Sequence, residues 1–234
     1  MDSLLSVEQV SKTYARGEQD VRVLTDINLD VDAGDYVALM GPSGSGKTTL
    51  LNIIGGIDSP TSGRVLMDGA DVSQLDDAAL AAWRTANVGF VFQQYNLLPV
   101  LTAVENVELP LLLLDMAKQE RRRRALTALE VVGLTHRAHH YPRQMSGGEE
   151  QRTSVARALV TDPRLIIADE PTGNLDAVAA SNVLDLLHTL NETFRKTILM
   201  VTHDPSAAGR ANRTVRLNKG TLVADAGTST RRPR

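Results

Sequence analysis

The chain contains no cysteine. Disulfide scaffolds, thiolate-bound zinc, iron–sulfur clusters and thiol nucleophiles are therefore excluded, and the chain is compatible with a reducing compartment. Aromatic residues make up only 3% of the 234 residues, so the core must be aliphatic. Long hydrophobic runs are missing as well. The longest, Leu109 to Leu114, is broken by Pro110 and stops at Asp115. That is far short of the ~20 residues a membrane helix needs. The N-terminus carries Asp2 and no long apolar stretch, so it does not read as a secretory signal. Basic residues are outnumbered, 25 Lys and Arg against 28 Asp and Glu, for a net charge of −3. Such a chain is a poor fit to non-specific nucleic-acid binding, and no nucleic-acid partner is expected. What remains is ordinary globular usage, 42% apolar and 23% charged.

Short apolar runs alternate with helical patterns. Residues 5–31 read as period-two strands, with turns near Arg16-Gly17 and Ala33-Gly34. In the first of them Leu5, Val7 and Gln9 alternate with Ser6, Glu8 and Val10. Tyr36 to Met40, Val88 to Phe92, Leu165 to Asp169 and Ile198 to Thr202 read as strands buried on both faces. Helices are expected after Lys47, over Asp76 to Trp83, from Ser146 to Thr161 and from Ala177 to Thr193. Residues 94–142 change character, Leu-rich and helical, and read as an inserted lobe that continues to about residue 155. A hairpin is expected at Asn218-Lys219-Gly220, and residues 226–234 read as a loose tail. This order predicts an α/β protein with a parallel sheet flanked by helices, whose ligands bind beyond the strand C-termini.

Gly41-Pro42-Ser43-Gly44-Ser45-Gly46-Lys47-Thr48, with Thr49 following, matches G-x-x-x-x-G-K-[ST] between a strand and a helix. Its amides form a nest for phosphate oxygens, and the helix adds the positive end of its dipole. Lys47 would reach the β- and γ-phosphates, and the Thr48 hydroxyl would ligate Mg²⁺. The strand Leu165 to Ala168 ends in Asp169 and Glu170 at the same sheet edge. Asp169 would hold Mg²⁺, and Glu170 would polarise an attacking water as general base. No N-K-x-D guanine reader is present. Ser146-Gly147-Gly148-Glu149 reads as a capping box. Two glycines opening a helix also leave bare amides that a phosphate can approach.

MSGGEEQR resembles the signature of the ATPase subunits of ABC transporters, and the resemblance covers about residues 4 to 225. It implies a P-loop ATPase fold with a RecA-like parallel-sheet core, an N-terminal antiparallel β subdomain and an inserted helical subdomain at about 94–155. It further implies ATP and Mg²⁺ as ligands and a second copy of the chain as partner. In that head-to-tail dimer, Ser146, Gly147 and Gly148 of one copy close over the nucleotide held by the other. By likeness, Tyr14 stacks on adenine. Gln93 senses Mg²⁺ and the lytic water, Asp176 joins the two sites, and His203 contacts the γ-phosphate. As plain structure, Tyr14 reads as a core-edge residue and Asp176 as a helix cap. The runs DEPTGNLD, GPSGSGKTTLLNIIGGIDSPTSG and FVFQQYNLLPVLTAVENVELPLL resemble the branch of lipoprotein-release, macrolide-export and cell-division ATPases. That branch implies a membrane permease partner and a position at the cytoplasmic face of the membrane. Two other readings stay open: force transmission to an extracytoplasmic domain or cell-wall hydrolase, and a soluble role in DNA repair or translation. The branch usually has Gln where this chain has Glu150, and often where it has Glu149. Arg121 to Arg124 is expected to be a solvated helix face, His136, His139 and His140 surface residues, and Leu109 to Leu114 core.

Overall fold

The computed structural model describes residues 3–17 and 19–223; the tail expected at 226–234 lies outside them. The chain opens with two long strands, β1 (Leu5–Arg16) and β2 (Gln19–Val31), and continues through β3 (Tyr36–Met40), the glycine-rich loop and α1 (Lys47–Ile54). Next come β4 (Ser62–Met67), β5 (Ala70–Asp71), α2 (Asp77–Asn87) and β6 (Val88–Phe92). A helical segment holds α3 (Ala103–Glu108), α4 (Lys118–Val131) and α5 (Gly147–Leu159). The chain then alternates through β7 (Leu165–Asp169), α6 (Ala177–Glu192), β8 (Thr197–Val201) and α7 (Pro205–Ala208), and ends in the hairpin β9 (Arg213–Asn218) and β10 (Thr221–Val223).

Two sheets result. One is antiparallel, in the order β2-β1-β4-β5; the other is six-stranded, in the order β10-β9-β3-β8-β7-β6, parallel except for the final hairpin. Each central strand is buried on both faces, as its continuous apolar run requires. Ile166, Ala168, Ile198 and Met200 face a core shared with the helical segment, where Val104, Leu111, Leu129 and Val155 pack. Leu165, Ile167, Leu199 and Val201 face the opposite core, against α1 and the antiparallel sheet. Each buried Leu or Ile contributes about 1.5–3 kcal/mol. The parallel sheet is thus clamped from both sides, which holds its C-terminal edge rigid. Among the described residues no helix is long and apolar enough to cross a membrane.

Four local expectations change. The simple alternation in β1 breaks at Gln9, which adopts φ 51° and shifts the pairing register with β2 between Val7 and Val10. This bulge turns Val10 inward with Leu5 and Val7, and leaves Gln9 exposed. The leucine run is not uniformly core. Residues Leu109–Leu113 form a tight 3₁₀ turn in which Leu111 is buried while Leu112 and Leu113 are 56% and 74% exposed. A three-residue repeat can bury only one stripe. His136 and His139 are exposed as expected, but His140 is half-buried, with Nε2 3.2 Å from Arg137 Nη1 and Nδ1 shielded from solvent. The solvated face expected of the arginine run holds for Arg123 and Arg124, whereas Arg121 and Arg122 are half-buried and Arg121 donates to the Met116 carbonyl. Arg122 pairs with Glu108, and Arg123 and Arg124 pair with Glu120, whose carboxyl those two guanidinium groups lower to about 2.

Candidate active site

Between Met40 and Lys47 the chain must turn sharply at the C-terminal edge of the sheet. Gly44 and Gly46 do so at φ 75° and 101°, a left-handed region that side chains disfavour. Gly46 is the N-cap of α1 and offers no side chain to its first N–H groups. By contrast α2, α3, α5 and α6 are capped by Asp76, Thr102, Ser146 and Asp176. The opening amides of α1, at the positive end of its dipole, are left for an anion. Lys47 is buried beneath the loop, and its Nζ donates to the carbonyls of Gly41 (2.8 Å) and Pro42 (3.0 Å). Ser45 is turned inward. Its hydroxyl is buried without a partner, its N–H donates to Pro42 O, and its carbonyl accepts from Gly220 N–H. Ser45 therefore anchors the loop to the terminal hairpin. Gly41 lies behind the loop, where a side chain would collide with the Leu217 carbonyl.

Strands β6, β7 and β8 end level, since Phe92 pairs with Asp169 and Asp169 with Val201. The residues that follow each strand are thereby brought together: Gln93 after β6, Glu170 after β7, His203 shortly after β8. Thr48 Oγ1 donates to Asp169 Oδ2 at 3.2 Å. Burial pushes the Asp169 carboxyl up, and the neighbouring Glu170 charge adds to this against the opposing Thr48 bond. Glu170 sits in the left-handed region at φ 47°. Its N–H donates to Val201 O and its carbonyl accepts from Gly173 N–H, so backbone bonds hold the strained residue in place. Glu170 Oε2 lies 2.6 Å from His203 Nδ1. Gln93 is locked to the segment that follows Glu170. Its Nε2 donates to Asn174 Oδ1 (3.4 Å), and Asn174 Nδ2 donates back to Gln93 O (3.0 Å).

These groups line a cavity of about 560 Å³, within the range of small-molecule sites. Ser43, Gly44, Gly46, Lys47, Thr48 and Thr49 form one side, and Gln93, Asp169, Glu170 and His203 the other. Val23 of β2 also lines it, a residue no motif pointed to. The donor set suits a triphosphate with a hard cation: open amides and an ammonium on one side, a hydroxyl and a carboxylate one hydrogen bond apart on the other. The raised Asp169 carboxyl is the group that a cation would relieve.

Tyr14 does not line this cavity. Its hydroxyl donates to Asp58 Oδ2 (2.6 Å), and Lys12 Nζ sits 4.7 Å from its ring centre. Lys12 in turn donates to Asp58 Oδ1 (2.6 Å) and Ser59 O (2.7 Å). Burial pushes Asp58 up, yet the bonds from Lys12 and Tyr14 outweigh it and leave the carboxyl below its ordinary value. Lys12 falls outside every motif, and Asp58, though it lies within the run GPSGSGKTTLLNIIGGIDSPTSG, is assigned no role by it. Ser146, Gly147, Gly148 and Asp176 also lie away from this cavity. Ser146 and Glu149 cap each other reciprocally, Glu149 Oε2 accepting from Ser146 N–H at 2.8 Å. That backbone bond, with Arg137 at 2.8 Å from Glu149 Oε1, keeps the Glu149 carboxyl low. Glu150 has no such help, and burial pushes it up. Asp176 Oδ1 accepts from the N–H groups of Val178 and Ala179. Its capping role is real whatever else it does.

A strand–glycine loop–helix cradle, acids at the end of the neighbouring strand, and a capped Ser-Gly-Gly helix together define a P-loop ATPase of the ABC class. The ABC transporter family model matches residues 24–173, and the chain belongs to that family. It is 49% identical over 222 residues to the macrolide export ATP-binding/permease protein MacB 1/2 of Paracoccus denitrificans, covering 95% of this chain and 33% of that protein. To the lipoprotein-releasing system ATP-binding protein LolD of Chromohalobacter salexigens it is 45% identical, covering 95% and 94% respectively. Among solved structures, the dimeric post-hydrolysis state of the ATP-binding cassette MJ0796 bound to ADP and Pi matches with a TM-score of 0.85 at 45% identity, covering 93% of this chain and 96% of that one. The chain is an ABC-type ATPase of the lipoprotein-release and macrolide-export branch, with the ABC ATPase fold.

Proposed function

We propose that this ATPase works as a head-to-tail dimer at the cytoplasmic face of a membrane and drives conformational change in a permease. Each nucleotide rests on the loop Gly41 to Thr49 of one protomer and is covered by Ser146, Gly147 and Gly148 of the other, with Asp176 joining the two sites. Tyr14 provides a face for adenine, its hydroxyl held by Asp58. Lys47 turns from the Gly41 and Pro42 carbonyls to neutralise β- and γ-phosphate charge. Thr48, Asp169 and Gln93 would hold Mg²⁺, which supplies charge stabilisation to the phosphates when bound. Glu170 takes the proton of the attacking water, and His203, hydrogen-bonded to Glu170, meets the γ-phosphate. Positioning and electrostatics supply most of the acceleration.

One observation carries this reading. The cavity gathers Lys47, Asp169, Glu170, Gln93 and His203 on one chain, while the Ser-Gly-Gly helix start lies outside it. The dimeric MJ0796 cassette with ADP and Pi supports the two-copy arrangement. The exposed Leu112 and Leu113 suit a partner beyond the dimer. The test is Glu170→Gln. Turnover should fall by about 10²–10⁴-fold, the usual share of a general base, while ATP binding persists. At saturating Mg-ATP light scattering should report a dimer. A variant that stays monomeric with ATP bound defeats the composite site, and one with normal turnover removes Glu170 as base.

A further inference from the structure

Helix α5 carries a buried amide that the reading above does not use. Gln151 lies one turn after Ser146–Gly148 and is fully buried. Its Nε2 donates to Pro171 O at 2.5 Å and to Phe92 O at 3.3 Å. Phe92 immediately precedes Gln93, and Pro171 immediately follows Glu170. Both acceptors are backbone carbonyls, so only a donor can serve them. Gln151 Oε1 has no partner and is buried. An apolar residue would avoid that unmet oxygen, so the two donated bonds are the chemical reason for glutamine here.

The same helix grips the other side of Gln93. Arg157 donates to the carbonyls of Tyr95 (2.7 Å) and Asn96 (2.5 Å). Those two residues stand at φ 57° and 51°, and Glu170 itself is left-handed. Strained backbone needs such outside restraint. One rigid helix therefore holds the chain on both sides of Gln93 and just beyond Glu170, and begins with the Ser-Gly-Gly turn.

We propose that Gln151 is a positioning residue. It fixes Gln93 and Glu170 through the Phe92 and Pro171 carbonyls, and ties their placement to the opening of α5. Resting on the composite-site reading, the proposal adds that closure of the partner's nucleotide onto Ser146–Gly148 is transmitted through Gln151 to the protomer's own catalytic groups.

The test uses the full chain at saturating Mg-ATP with two variants. Gln151→Met preserves volume and removes the donor. Its kcat should fall by roughly 10- to 100-fold, as for a small misplacement of reacting groups, with KM for ATP and thermal melting little changed. Gln151→Glu keeps the shape and supplies a pH signature. Ionised, the carboxyl only accepts and faces two carbonyls; protonated, it donates to one of them. Burial raises the pKa of such a carboxyl, so its kcat relative to wild type should climb several-fold from about pH 8.5 to about pH 6. A Met variant within twofold of wild-type kcat overturns the proposal, as does a Glu variant whose ratio to wild type is flat with pH. Should the Met variant fold poorly, the pH ratio of the Glu variant decides alone. Dimerisation of Glu170→Gln with ATP separates the two ideas. If it dimerises while both Gln151 variants behave as wild type, only the positioning role falls; if it stays monomeric, the composite site falls with it.

Discussion

The two halves of the site are built by opposite means. The phosphate-holding half rests on the level C-terminal ends of β6, β7 and β8, joined by the loop before α1. Residues far apart in sequence meet there because a parallel sheet aligns its strand ends. Its helix, α1, starts without a side-chain cap, so the opening amides remain available. The Ser-Gly-Gly half does the reverse. It projects from a single helix N-terminus, and its cap is complete within the chain: Ser146 and Glu149 satisfy each other, and Arg137 pairs with Glu149. The first half needs a ligand to complete its polar groups. The second has its cap completed within the chain, with Ser146 exposed and Gly148 buried. A chain that carries one incomplete cradle and one finished cap is suited to pair with a copy of itself.

That contrast can be broken from either side. The largest effect is expected on the cradle. Lys47→Ala should lower ATP affinity by roughly 10- to 100-fold, the loss of a charge-assisted contact, and a nucleotide titration on the protomer reads it directly. An unchanged titration would place the phosphates elsewhere. Next comes Ser146→Ala. It should leave ATP binding to the protomer intact yet weaken the ATP-dependent dimer by about tenfold in a Glu170→Gln background, with loss of the cap lowering stability by about 1 kcal/mol. Equal losses in both assays would mean the two halves are one site within a chain.

The smallest effect concerns pH. The folded Glu149 carboxyl lies below its ordinary value, held by the Ser146 N–H and by Arg137. A carboxylate lowered on folding stabilises fully above its unfolded pKa, about 4.3 for glutamate, and that stability is lost as pH falls through the lowered folded value. The melting-temperature difference between wild type and Glu149→Gln should therefore be constant from about pH 8 to about pH 5.5 and shrink below about pH 4. The stability difference behind it should stay at ~1 kcal/mol or less, since Arg137 is partly solvated. A difference that persists in strong acid would assign Glu149 a packing role instead.

Much of this was legible in residue order. The match at Gly41 to Thr48 names its own chemistry because phosphate binding depends on backbone amides, which local sequence determines. Asp169 and Glu170 were legible as the end of an apolar strand, and Ser146 to Glu149 as a cap. The misreadings are local too. The alternation in β1 fails at Gln9 because a bulge, which no short pattern reveals, shifts the register. Leu109 to Leu114 divides between core and surface because a 3₁₀ turn, not an α-helix, carries it. Lys12 lies in no motif, and Asp58 and Gln151 lie in runs that carry the family resemblance but are given no role by it. Each acts through a partner 46, 46 and 59 positions distant, and pairwise distance is not written in composition or period.

By itself the sequence determined the nucleotide cradle, the strand-end acids, the helix cap and the alternation of buried strands with helices. All of these rest on interactions between near neighbours in the chain. Only the tertiary structure decided that Gln93, Glu170 and His203 share one edge, that Lys47 folds under its loop, and that the Ser-Gly-Gly turn lies outside that cavity. Those outcomes depend on strand register and on packing against both faces of the sheet, which arise only once distant segments have met.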